Sequence, residues 1–146
     1  MSTKYNTQTA PRLVADITVV IGAIAVLMGG WAFFRPAGFF ADFPYPGADW
    51  VSTLGTYNEH LMRDFGSAQI GLGLAGIIVG VRRSRAGISA VLWGTVVFGS
   101  LHFGYHVGTF GMFDTISAAS QAVALSAFIV IPLVLLWALR RSSAEL

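Results

Sequence analysis

Four apolar stretches, each long enough to cross a bilayer as a helix, constrain this chain more than any other feature. The first runs from Leu13 to Phe34 and is broken only by Asp16 and Thr18. A helix rises about 1.5 Å per residue and a hydrocarbon core is about 30 Å thick, so about 20 apolar residues span it. A cleaved signal peptide would have a shorter apolar core ending in small residues. Here Met28 is followed by Gly29, Gly30, Trp31, Ala32, Phe33 and Phe34. That bulk favours an uncleaved helix. The predicted spans are residues 13–35, 57–81, 87–108 and 115–139 of one integral membrane domain, 1–146. Only 11% of the residues are charged, against about 25% in soluble domains. This excludes a disordered chain and a nucleic-acid binder, and weighs against an ordinary soluble enzyme. The absence of cysteine excludes disulfides, thiolate metal sites and cysteine nucleophiles.

The connections differ in kind. Arg82, Arg83, Ser84 and Arg85 form a short basic turn, whereas Thr109 to Asp114 form a short turn with no basic residue. Residues 36–56 are rich in Pro, Gly and aromatics, including Phe39, Phe40, Phe43, Tyr45 and Trp50. They read as an interfacial loop with room for a short surface helix, because amphipathic rings settle at headgroup level. Lys4, Arg12, Arg82, Arg83, Arg85, Arg140 and Arg141 fall on one side of the membrane, and Arg35 and Arg63 on the other. The positive-inside rule then predicts cytoplasmic N- and C-termini. Pro132 should kink the fourth span, which membrane bundles tolerate. Asp16, one turn into the first span, reaches Arg12 or water. The pairs Gly76/Gly80 and Gly104/Gly108 have the spacing of close helix approach.

With this topology, polar groups can be compared by depth. His60 and His106 lie about one turn inside the outer boundary, and Asp64, His102 and Gln121 about two turns. Residues four apart share a helix face, so His60 pairs with Asp64 and His102 with His106. Glu59 and Arg63 form a neighbouring pair. Ser67 and Gly71 continue the His60 stripe, and Gly99 and Thr95 continue the His102 stripe. Such small residues suit a bundle interior, which places Gly71 and Gly99 inside.

Ionisable residues within a membrane are costly and point to function. Three principal readings follow. In the first, His60, Asp64, His102 and His106, with Glu59 as an extra ligand, hold Zn, Cu, Fe or Mn, which accept imidazole and carboxylate. In the second, His60 and His106 bind a redox cofactor: one histidine of the 102/106 pair and His60 ligate a haem, or a histidine donates to a quinone. In the third, the cluster is structural. Arg63 then pairs with Glu59 or Asp64, and the histidines bond to Gln121, Asn58 or backbone carbonyls. Gln121, Arg63 and Asn58 support the site in every case. Proton-coupled transport is a further reading, although four spans are few for it.

The segment Tyr57-Asn58-Glu59-His60-Leu61-Met62-Arg63-Asp64-Phe65-Gly66, opening the second of four spans, resembles the DoxX-like group of small bacterial membrane proteins. The motif resemblance covers Asn58 to Gly73 and extends loosely to His102–His106. It implies a four-helix membrane bundle and a subunit of a quinone-linked redox complex, and it assigns no catalytic residue. The expectation is therefore an all-α, four-helix transmembrane bundle in the inner (plasma) membrane. It has an outer-leaflet His/carboxylate pocket for a metal or redox ligand and works in a larger complex, such as a membrane oxidoreductase, or a homo-oligomer. The alternative is an accessory subunit with no chemistry of its own.

Overall fold

The computed structural model describes residues 9–144, with side chains to 142, and among these the chain is all-helical with no strand. Four long helices, α1 (Arg12–Phe34), α3 (Glu59–Val81), α4 (Arg85–Val107) and α5 (Thr115–Ala144), are each long and apolar enough to cross a membrane. A fifth, α2 (Pro36–Asp42), lies in the aromatic loop and begins with Pro36, whose fixed φ suits a first helical turn. The long helices keep the expected order. The fourth runs past the predicted end at residue 139, and α5 continues through the buried Pro132 as one helix.

Local chemistry sets the helix starts. Asn58 caps α3 by accepting from the Leu61 N–H at 3.1 Å. Ser84 does the same for α4 with Gly87 at 3.2 Å. Asp114 Oδ1 accepts from both Ile116 and Ser117 at the start of α5. Each cap satisfies an amide that the first helical turn leaves unpaired.

The long helices associate as two antiparallel pairs, α1 with α3 and α4 with α5. Glycines bring the first pair together. A Cβ placed on Gly66 would lie 2.7 Å from the Gly29 carbonyl oxygen, and one on Gly73 would lie 2.5 Å from that of Gly22. Only residues without a side chain allow backbones this close, and such contacts drive helix association in lipid. Gly80 continues the seam against Val19 and Ala15. In the second pair, Gly99 lies against the backbone of Phe128.

This settles the faces. Gly99 is interior, as expected. Gly71 is not: it is exposed, with nothing within 4 Å of its Cβ position. The buried face of α3 is Gly66, Gln69, Gly73, Gly76 and Gly80, which lies about 180° round the helix from Gly71. The Gly104/Gly108 spacing makes no close helix contact among the described residues.

The two pairs converge at the arginine-rich end. Ala10, Val14 and Ala15 pack there with Ile88, Leu92, Leu135, Leu136 and Leu139. Arg83 donates to the Ala10 carbonyl through Nε at 2.9 Å and Nη2 at 2.5 Å, tying the start of the chain to the turn between α3 and α4. Arg85 donates to the Leu139 carbonyl and to Ser142 Oγ, joining α4 to the end of α5. Arg140 and Arg141 cover the Trp93 and Trp137 rings. At the opposite end the pairs leave a cavity between them.

Candidate functional site

The cavity has a volume of about 370 Å³ and takes residues from every helix. Its polar end comes from α4 and α5. His106 Nδ1 and Gln121 Oε1 are 3.0 Å apart, and both residues are buried, with exposures of 8% and 1%. His102 packs beside His106, with ring centroids 4.7 Å apart, and stacks on Phe98 at 5.4 Å. The rest is apolar: Met28 from α1, Met62 and Phe65 from α3, and Leu125 and Phe128 from α5. Phe39, Phe43 and Trp50 roof it from α2 and the following loop. These rings form one cluster, with Phe39–Phe43 centroids at 4.7 Å, Phe39–Phe65 at 5.8 Å and Phe43–Trp50 at 6.4 Å.

Two buried side-chain nitrogens in the described residues have no hydrogen-bond partner: Gln121 Nε2 and Trp50 Nε1. Both residues line this one cavity. An amide has one acceptor end and one donor end. When His106 Nδ1–H donates to Gln121 Oε1, the Nε2 donor remains free. The indole N–H of Trp50 is a donor only. A buried donor without a partner costs about 1–3 kcal/mol, and both nitrogens are covered within the wall of this chamber.

The expected cluster is divided. His106, His102 and Gln121 come together as the depth argument predicted. His60 and Asp64 do pair, at 3.2 Å, but on the outer surface of α3, with side-chain exposures of 88% and 62%. Neither lines the cavity. The cause is the glycine face. Close contact with α1 orients α3 by Gly66, and His60 and Asp64 lie about 120° and 160° round the helix from it. Glu59 is likewise outside the cavity, paired with Arg63 at 2.8 Å. Among the described residues no group of three or more His, Asp or Glu is placed to hold a metal ion. The choice left open for Arg63 falls to Glu59. Arg63 Nη1 also donates to the Phe33 carbonyl at 2.6 Å, in the last turn of α1, where a cation is favoured by the helix dipole. Asn58 serves as a helix cap and not as a partner of a histidine.

Sequence reasoning missed Trp50, Phe39, Phe43, Phe65 and Phe128 as cavity residues. The loop aromatics were visible, but as headgroup anchors. Their density in residues 36–56 was the available signal. Beyond the cavity, Asp114 is fully exposed, and hydrogen bonds from the Ser117 hydroxyl and then its backbone N–H hold its carboxyl below the usual value of 3.8.

The site therefore combines an apolar chamber at membrane depth, a hydrogen-bonded His–Gln pair and two free donors. Compared with protein-family models, with curated proteins and with solved structures, the chain matches none, so its function is argued from this cavity alone.

Proposed function

We propose that the cavity binds the headgroup of a membrane quinone, and that the chain is a quinone-binding subunit of a larger membrane assembly or homo-oligomer. The observation that carries this reading is the pair of unpartnered donors, Gln121 Nε2 and Trp50 Nε1, in one aromatic-lined chamber. A quinone is a flat, largely apolar ring with two carbonyl acceptors. Its ring suits the Phe and Trp walls, since aromatic pairs add about 0.5–1.5 kcal/mol beyond burial. Its carbonyls suit the donors. The site is of the mostly apolar kind, with a few placed polar groups, that small ligands use. Quinone is favoured over a metal ion because the carboxylates lie outside the chamber and its lining, apart from His102, His106 and Gln121, is aromatic and aliphatic.

In this reading the arginine-rich end and both termini are cytoplasmic in the inner (plasma) membrane, by the positive-inside rule. The chamber then lies in the outer leaflet. An oligomeric arrangement is supported by the exposed face of α4, where Gly94 and Gly104 have nothing within 4 Å of their Cβ positions and flank Val97 and Leu101. Such smooth faces accept a neighbouring helix.

The test is a titration of the purified protein with a short-tailed benzoquinone, followed by quenching of tryptophan fluorescence. The account expects saturable binding that weakens about tenfold in Gln121→Leu and in Trp50→Phe, as loss of a hydrogen bond worth about 1.4 kcal/mol implies. Binding that is unsaturable, or unchanged in both variants, contradicts it. A purely structural role for the His106–Gln121 pair predicts loss of stability in Gln121→Leu without any bound quinone to lose.

A further inference from the structure

A second, smaller cavity of about 220 Å³ lies deeper in the bundle. It is formed by Ile21 and Ile24 of α1, Thr95 of α4, and Ala127, Ile131 and Pro132 of α5. Phe128 lines both cavities. The two belong to one seam between the helix pairs. On α1 the lining residues step from Ile24 to Met28, on α4 from Thr95 to Phe98 to His102, and on α5 from Pro132 to Phe128 to Leu125 to Gln121. Steps of three and four keep to one face of a helix. From Gln121 to Pro132 the helix rises about 16 Å, more than half of a hydrocarbon core.

The chemistry changes along this seam. The outer chamber holds the free donors. The deeper one offers none, because its single hydroxyl, on Thr95, already donates to the Val91 carbonyl at 2.9 Å. Such a wall accepts hydrocarbon and nothing polar. Its margin is open to the side: Ile24 and Ile131 are 53% and 44% exposed. At the junction Phe128 is pressed against α4, since a Cβ on Gly99 would meet its Cβ and carbonyl oxygen at 3.0 Å.

We infer that the ligand is long-tailed: its head occupies the outer chamber, its tail follows the seam past Phe128 into the deeper cavity, and it enters sideways from the lipid between α1 and α5. Phe128, Ala127 and Ile24 are then the residues that select for the tail. This rests on the quinone reading and adds to it the path that the tail of a membrane quinone takes.

Tail length alone is a poor reporter, because lipid is as apolar as the seam and a longer tail also partitions more strongly. Comparing variants at a fixed ligand cancels the partition. Two ligands share one benzoquinone head, one with a methyl substituent and one with a decyl tail. Each is titrated against the unaltered protein, Ala127→Phe and Ile24→Trp. The variants fill the deeper cavity from different helices. With the space for the tail filled, affinity for the decyl quinone should fall about tenfold in both variants. Affinity for the methyl quinone should stay within about twofold, which also shows that the variants are folded. Equal losses for both ligands, or no loss for either, overturn the assignment of the tail while the head site stands. If neither quinone binds the unaltered protein, the head-group reading fails first.

Discussion

Gln121 carries the account at the scale of the single residue. It is nearly fully buried, bonds to His106 and keeps one donor free. Gln121→Leu strands the His106 Nδ1 in an apolar wall and should destabilise the protein by about 1–3 kcal/mol. Adding His106→Phe removes both partners and should recover part of that loss, since interhelical hydrogen bonds in membranes are worth only about 0.6 kcal/mol on average. Unfolding of the single and double variants in denaturing detergent measures the difference. Asp114 gives a pH prediction. Its carboxylate accepts from Ile116 and Ser117 and is held below its ordinary value of 3.8. A group whose folded value is depressed stabilises above its unfolded value and loses that contribution as pH falls through the folded one. The start of α5 should therefore fray below about pH 4, and Asp114→Ala should remove this acid dependence. Amide exchange across the first turn of α5 reports both. That His102, His106 and Gln121 gather at one end was legible from helix depth, but depth set Gln121 level with His102, whereas the bond runs to His106. The exclusion of His60 and Asp64 was not legible, because depth says nothing about rotation.

Rotation is decided at the scale of elements, by backbone contact. Along α3 the polar stripe and the glycine stripe compete for the interior, and the glycines win because they let α3 lie directly on α1. Gly66→Ala puts a methyl 2.6 Å from the Phe33 backbone nitrogen. The helices must separate along their length, which should cost about 1–3 kcal/mol. Gly71→Ala meets nothing and should be neutral or stabilising by up to about 1 kcal/mol, as alanine is the better helix former. Equal effects of the two substitutions in a detergent unfolding series would contradict the assigned faces. The sequence announces the helices through apolar length, while the caps at Asn58, Ser84 and Asp114 emerge only with the structure. It does not rank one small-residue stripe over another. Gly66, Gly73 and Gly80 are spaced by seven, as in a close antiparallel seam, while Ser67 and Gly71 gave an equally small stripe that leads nowhere. The chamber roof escapes such reading for a different reason. Phe39, Phe43 and Trp50 come from a loop with no period, and only the folded chain brings them over His106.

For the whole molecule, the arrangement is a bundle closed at its basic end and hollow at the other, and two experiments address that shape. Orientation is open to cysteine labelling, because the chain has no cysteine of its own. Thr56 and Arg82 are exposed at opposite ends. A membrane-impermeant thiol reagent on intact cells should label Thr56→Cys and spare Arg82→Cys, and the reverse pattern would turn the chamber towards the cytoplasm. The central claim is that the chamber itself takes the ring of a quinone. Photolabelling with an azido-quinone, followed by mass spectrometry of the labelled peptides, tests this most directly. The account predicts label on the chamber walls, at Trp50, Phe98, Tyr105 or Phe128, displaced by excess unmodified quinone and lost in Gln121→Leu. Label that falls instead on outward positions such as Leu27, Leu72 or Val123, or that excess quinone does not displace, would contradict it.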